Sequence, residues 1–544
     1  MKAVQVIAEI LKREGIEFLA CYARNPVIEA CAEIGIRTVH CRQERVGIGI
    51  ADGFARASFG QRIGAVAVQG GPGIENAFPG IAQAYAENVP LLILPGGERT
   101  SRQFNRPSFR ASEVYAPVTK WAAPVNDVAA IPDQMRRAFH LMRTGRPGPV
   151  LLEVAQEVWE AEFSGDIDYT PPPYLRTTPD EADVKSMAEA FLAAKSPILW
   201  AGAGILRARA TEDLIQLAEL VHAPVMSTNP GKSAFPDSHP LALGAATGSS
   251  SKGLKHFLGA ADCVLAIGSS LTRTPFGPAV PPGKTILHAT NAEDDINKDY
   301  AVAQACIGDA KLVIQALISE IKEQTGGKGR PGGGIEAEIS ALKDEWRAEF
   351  AEQFASSEVP INPYRMIGDL MGAVDPGETI ITHDAGGPRE QLLPFWQSDA
   401  PGSYMGWGKT TQLGCGLGLT MGAKLARPEK LCINLMGDAA IGMVGMDLET
   451  AVRNSIGILS LVFNNGVMAM ERAVMPQSIE KFGGHTLGGN YSDVAQALGV
   501  MAQRVAEPDQ FLPALERAIA ATREGQPALI ECMTKESTSF SRYP

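Results

Sequence analysis

The chain has 544 residues, of which 45% are hydrophobic and 20% charged, and 61 acidic against 49 basic residues give a net charge of −12. That length suits about three to four domains with ample cores. The acidic balance argues against a general role on nucleic acid or an anionic membrane. The eight cysteines are scattered and form no Cys-x-x-Cys pair, which reads as buried free thiols in a reducing, cytoplasmic setting.

Met1 to Leu19 mixes Glu9, Lys12, Arg13 and Glu14 with apolar residues and predicts an amphipathic helix rather than a signal peptide. No apolar run approaches the ~20 residues of a membrane span. Two segments dense in proline or glycine read as linkers: 166–184, with Thr170-Pro171-Pro172-Pro173, and 325–334, TGGKGRPGGG. They leave an N-terminal block 1–165, a middle block 185–324, a C-terminal block 340–535 and a tail 536–544. The tail either folds over a pocket as a lid or frays.

Each block alternates short β-branched apolar runs with helical patterns. In the first, Ile63–Val68 and Leu91–Leu94 predict buried strands. In the second, Pro197–Trp200, Cys263–Ile267 and Thr285–Leu287 do, and in the third Thr379–Ile381, Cys432–Leu435 and Leu459–Phe463 do. Continuous apolar strands separated by helices imply parallel sheets covered on both faces, hence an α/β chain of three doubly wound domains. Residues 47–97 and 414–465 share one plan: a Gly-rich helix, a strand, a glycine loop, a helix and a second strand. The echo fits duplication, although doubly wound domains in general share the plan.

Gly437-Asp438 is followed, twenty-seven residues beyond the aspartate, by Asn465 in Phe463-Asn464-Asn465-Gly466. Both fall just after predicted strands, where open α/β sheets bind ligands. A carboxylate, an amide oxygen and backbone carbonyls suit Mg²⁺ shared with phosphate oxygens. Alone, Asp438 reads as an N-cap and Asn465 as a turn residue; together they predict a metal–phosphate site.

This Gly-Asp…Asn-Asn pattern resembles the signature of thiamine-diphosphate enzymes, and the resemblance covers nearly the whole chain, nearest to the acetolactate-synthase-like branch. It implies a pyrimidine-binding first domain, a middle domain and a diphosphate-binding third domain. It also implies active sites between the first domain of one subunit and the third of another, hence a dimer or a homotetramer. Glu44, in Cys41-Arg42-Gln43-Glu44, matches the activating glutamate that hydrogen-bonds N1′ of the aminopyrimidine. Gly71-Pro72-Gly73 with Asn76 matches the Gly-Pro-Gly-x-x-Asn loop. Leu413 matches the apolar prop that bends the cofactor, and the Thr411 carbonyl would receive the 4′-amino group. Gly386 and Gly387, Gly437 and the backbone of Ala439 and Ala440 would lie against the diphosphate. Asp438, Asn465 and the Val467 carbonyl would hold Mg²⁺, with Met468 and Ala469 beside them.

Several positions depart from the branch. Gly-Asp-Gly-Ser is Gly-Asp-Ala-Ala, the His-Gln pair after the glycines is Pro388-Arg389, and Val474 stands for a tryptophan. The middle-domain signature reads Ser269-Ser270-Leu271-Thr272-Arg273, and the phenylalanine-glutamine step is absent near Phe109-Arg110. These argue against a biosynthetic acetolactate synthase and its structural FAD. Gly202-Ala203-Gly204 is a weak dinucleotide signal. For substrate, the candidates are Ala23-Arg24-Asn25, where the arginine could bind a carboxylate, and His485 on a glycine loop. His40 and Arg42 are expected on the strand face of Glu44.

The implied activity is decarboxylation of a pyruvate-like 2-oxo acid and ligation of the activated aldehyde to a second carbonyl. The alternative is a lyase, hydrolase or decarboxylase of the same cofactor class acting on a 2-hydroxyketone, a diketone or an acyl-CoA. No basic cluster for CoA is visible in the sequence. A silent homologue is disfavoured by intact Glu44, Asp438 and Asn465, and an oxidoreductase would rest on Gly202-Ala203-Gly204 alone.

Overall fold

The computed structural model describes residues 1–543. It contains three six-stranded sheets, and every strand pair within them is parallel. The first comprises β1 (Phe18–Cys21), β2 (Arg37–His40), β3 (Gly64–Val68), β4 (Leu91–Gly97), β5 (Trp121–Val125) and β6 (Val150–Ala155), in the order β2-β1-β3-β4-β6-β5. The second comprises β7 (Pro197–Ala201), β8 (Val225–Thr228), β9 (Ala242–Ala246), β10 (Cys263–Ile267), β11 (Thr285–Thr290) and β12 (Gln304–Ile307), in the order β12-β11-β10-β7-β8-β9. The third comprises β13 (Thr379–His383), β14 (Tyr404–Met405), β15 (Leu431–Gly437), β16 (Leu459–Asn464), β17 (Met501–Val505) and β18 (Ala528–Met533), in the order β14-β13-β15-β16-β18-β17.

The first and third sheets therefore share one permutation, and the middle sheet has another. The echo between the outer blocks extends to side chains. Glu153 on β6 accepts the backbone N–H groups of Ala111 and Ser112 at 3.0 and 2.9 Å. Glu531 on β18 likewise accepts those of Tyr491 and Ser492 at 3.2 and 2.9 Å. In both sheets a buried glutamate on the fifth strand in spatial order caps a helix start, satisfying donors that would otherwise be unpaired.

Two sequence expectations are corrected. The first helix spans Ala3–Arg13, not Met1–Leu19. Gly15, at φ 75°, turns the chain out of the helix, and Phe18 and Leu19 enter the fully buried β1. Glu44 is not on a strand face with His40 and Arg42. β2 ends at His40, and Glu44 opens the helix Glu44–Ala57 behind an extended Gln43. The linker regions are irregular until the helix Glu181–Leu192, capped by Asp180, and from Gly326 to the helix Ile335–Glu349. Ile339 of that last helix is buried with the middle sheet's Ile198 and Trp200. No helix among the described residues is long and apolar enough to cross a membrane, and all eight cysteines are free.

The outer domains meet where the helix Glu44–Ala57 crosses the helix Cys415–Ala426. A Cβ on Gly49 would come within 3.2 Å of the Gly418 Cα, and one on Gly53 would collide with the Leu419 backbone. Glycine is required here for close approach, not for its dihedral freedom. Gly53→Val should lower the urea midpoint by the equivalent of at least about 3 kcal/mol, because the obstruction is backbone and cannot rotate away. Gly372→Ala, in a helix with no atom within 4 Å of the added Cβ, should instead stabilise by up to ~1 kcal/mol.

Candidate active site

The ends of β13, β15 and β16 frame a cleft of about 740 Å³. Gly386, Gly387, Leu413, Asp438, Asn465 and Val467 line it, together with Gly437, Ala439, Ala440, Met468 and Ala469. The side chain of Asp438, buried at the end of β15, accepts Ala439 N and Gly466 N, each at 2.8 Å. Burial raises its pKa, and these backbone donors oppose the rise. Asn465 follows β16, and its side-chain oxygen accepts Val467 N at 3.0 Å. Residues twenty-seven positions apart in sequence thus reach one point because β15 and β16 are parallel neighbours, with Gly437 opposite Phe463.

A buried network stands behind this corner. Asn464 donates to Glu531 at 2.7 Å and accepts Gly466 N at 3.1 Å. Glu531 also receives Arg504 at 3.1 Å. Burial opposes the charge on Glu531, but Arg504, Ser492 N, Asn464 and Tyr491 N outweigh it and lower its pKa. The loop after Asn465 folds back on itself: Met468 N donates to His485 O at 2.8 Å, and Leu487 N donates to Gly466 O at 2.8 Å. His485 is buried, with Nε2 3.3 Å from Arg472, and Arg472 pairs with Glu536 at the start of the tail. The tail is docked: Ser541 O accepts Ser250 N at 2.9 Å, and Trp346 Nε1 donates to Ser541 Oγ at 2.7 Å. Ser537 and Lys535 line the cleft.

The residues fit the cofactor and cation suggested by the sequence pattern. One carboxylate, one amide oxygen and a neighbouring carbonyl form an all-oxygen set suited to a hard divalent cation. Gly386, at φ 90°, has no atom within 4 Å of a built Cβ, so a side chain there would enter the cleft itself. Leu413, Met468 and Phe463 supply an apolar wall. The N–H of Ala439 is already taken by Asp438.

The remaining sequence candidates lie elsewhere. No residue of the first sheet lines the cleft. Glu44 is buried, accepts Asn76 Nδ2 at 2.6 Å and lies beside Gly73. Gly71, at φ 64°, ends the loop as the N-cap of the helix Pro72–Ala86. Thr411 lies behind Leu413 at φ 49° and does not itself line the cleft. Ala23 and Arg24 are exposed. Asn25 donates to Val68 O and Leu94 O at 2.9 and 2.7 Å, so its amide ties strand ends together. Gln391, Met470 and Lys535 line the cleft without a sequence signal of their own.

A second cavity, of about 1360 Å³, lies at the carboxyl ends of the middle strands beside Gly204 and Trp200. Arg146, Arg207, Arg389 and Lys409 line it together with Glu87, Asp295 and Asp309, and Arg146 pairs with Asp295 and Arg389 with Glu390. The four cations come from distant parts of the chain and converge only on folding. Burial lowers the Lys409 pKa to about 8 and that of Arg207 to about 10.

Three parallel α/β sheets, with a cleft at the strand ends of the third that has oxygen ligands at one corner, have the architecture of α/β enzymes that bind ligands at strand carboxyl ends. Models of the thiamine pyrophosphate enzymes match in all three parts: the N-terminal TPP-binding domain over 1–111, the central domain over 184–317 and the C-terminal TPP-binding domain over 384–532. The chain is 28% identical, over its full length and 94% of the relative, to a probable acetolactate synthase large subunit of Methanocaldococcus jannaschii. It is 24% identical to acetolactate synthase isozyme 3 large subunit of Escherichia coli, over 98% of this chain and 94% of that one. The crystal structure of benzoylformate decarboxylase from Polynucleobacter necessarius superposes with a TM-score of 0.82 at 20% identity, covering 99% of this chain and all of that one. The chain belongs to the thiamine pyrophosphate enzyme family, in its acetolactate-synthase-like branch.

Glu531→Gln should cost about 1–3 kcal/mol, because buried donors lose a charged acceptor. The Glu531 contribution is complete above the usual glutamate value of 4.5 and is lost as pH falls through its lowered pKa. Urea midpoints measured across acid pH should therefore fall less steeply in the variant than in the parent.

Proposed function

We propose that this enzyme uses thiamine diphosphate and Mg²⁺ to decarboxylate a pyruvate-like 2-oxo acid and to join the activated aldehyde to a second carbonyl. The observation that carries this reading is the convergence of Asp438, Asn465 and Val467 in one cleft with Gly386, Gly387 and Leu413. Asp438, Asn465 and the Val467 carbonyl would hold the cation. The backbone of Gly386, Gly387, Gly437 and Ala440 would face the diphosphate, Leu413 would bend the cofactor, and the Thr411 carbonyl would receive its 4′-amino group. When bound, thiamine diphosphate supplies a nucleophilic thiazolium carbon and a sink for the electrons released with CO₂.

Glu44 would hold and pass a proton at N1′ of the aminopyrimidine, oriented by Asn76. Because no residue of the first sheet lines the cleft of its own chain, a second copy would supply Glu44, and the working unit is a dimer or a homotetramer. The apolar wall would exclude water from the reacting carbon. The free cysteines fit a cytoplasmic enzyme.

The middle cavity supports one second reading, cleavage of an acyl-CoA whose phosphates would meet Arg207 and Lys409. Two assays separate the readings. On the first, a panel of 2-oxo acids with thiamine diphosphate and Mg²⁺ releases CO₂, and NMR shows a hydroxyketone or acetohydroxy acid. Cofactor binding with no 2-oxo acid consumed, together with turnover of an acyl-CoA, would transfer the assignment to the second. Glu44→Gln should fold normally and reduce turnover by at least about 10²-fold.

A further inference from the structure

The segment Thr410–Gly414 is held in unusual backbone. Thr411 lies at φ 49° and Gly414 at φ 88°. A non-glycine residue in the left-handed region persists where its surroundings over-determine it. Here the anchors come from two domains. From the first, Gln83 accepts the Thr410 hydroxyl, and Glu87 accepts Gly408 N and Lys409 N at 2.9 and 3.0 Å. The two anchors nearest the cleft are charged. Arg45, one residue beyond Glu44, donates to Leu413 O at 2.6 Å. Asp384, fully buried at the end of β13, accepts Gly414 N at 2.9 Å and Gly416 N at 3.1 Å.

Asp384 also accepts Ala385 N at 2.9 Å. Ala385 directly precedes Gly386 and Gly387. One carboxylate therefore ties both walls of the cleft, the glycine pair on one side and the Leu413 turn on the other. Burial raises its pKa to about 6, and its three backbone N–H donors, with the nearby Arg45, oppose that rise. Arg45 holds the same turn at the Leu413 carbonyl. Hydrogen bonds to charged groups are about twice as strong as neutral ones, so this pair can fix a strained turn that neutral contacts would leave mobile.

We propose that Arg45 and Asp384 are positioning residues that clamp the Leu413 turn and the Gly386-Gly387 wall at the separation the bent cofactor requires. The proposal rests on the reading of this cleft as the thiamine-diphosphate site. Neither residue touches the cofactor in this account; each acts through the backbone it holds. A purely structural role would instead appear as a loss of global stability with cofactor recognition unchanged.

The test compares Arg45→Met, Arg45→Lys and Asp384→Asn with the parent in the full-length protein. Thermal unfolding without cofactor reports the fold. Quenching of tryptophan fluorescence by thiamine diphosphate, with Mg²⁺ present, reports affinity, and near-ultraviolet circular dichroism reports the bound aminopyrimidine. Expected are near-parental unfolding midpoints, an affinity loss of about tenfold or more in Arg45→Met and Asp384→Asn, a weakened dichroic band, and substantial recovery in Arg45→Lys. Parental affinity and band in folded variants would overturn the proposal. If Asp384→Asn does not fold, the two Arg45 variants decide. A parent that binds no thiamine diphosphate would overturn the site reading itself.

Discussion

The rest of the molecule depends on the glycine-lined crossing of the helices Glu44–Ala57 and Cys415–Ala426. Each helix starts where its sheet delivers chemistry. Glu44 is the first residue of one, and the Leu413 turn leads into the other. Their backbones approach so closely that Gly53 admits no side chain against Leu419, and a Cβ on Gly49 would press on Gly418. Such contact fixes the relation of the outer domains more tightly than interdigitated side chains would. It also brings Arg45 to the Leu413 carbonyl while leaving the first sheet outside the cleft of its own chain.

The two outer domains are variations of one unit. Their strand orders are the same permutation, and Glu153 and Glu531 occupy equivalent strands with equivalent partners. The segments after β1 and β13 differ. Asn25 ties β3 and β4 through their carbonyls, and Asp384 ties the glycine pair to the Leu413 turn through N–H groups. The third domain gained the oxygen set of Asp438 and Asn465, and the first kept an acid, Glu44, on a helix start.

Much of this was legible in the sequence because the strands are buried on both faces. Cys263–Ile267 was delimited at both ends, and Leu459–Phe463 fell one residue short. Asp438 and Asn465 stand out as a pair in the sequence, and they meet at one cleft because β15 and β16 are parallel neighbours. The apolar pattern predicts too long a first helix because Gly15 is a weak local signal beside the apolar run that follows, and that run serves β1. Glu44 was placed on a strand face because the break after His40 carries no proline or glycine. Arg45, Asp384 and the cations of the middle cavity have no local signature in the sequence. Their partners lie far away in sequence, and only the meeting of domains gives these charges a purpose.

The central claim is that a complete site requires the first sheet of one copy and the third sheet of another. The most direct measurement mixes two inactive variants, Glu44→Gln and Asp438→Asn, after reversible dissociation, and assays the reassembled protein with thiamine diphosphate, Mg²⁺ and substrate. In a random mixture half the assemblies pair unlike chains, and each of those carries one intact site, so activity should recover to about a quarter of the parent's. Activity no higher than that of the separate variants, with mixed assemblies demonstrably formed, would contradict the account.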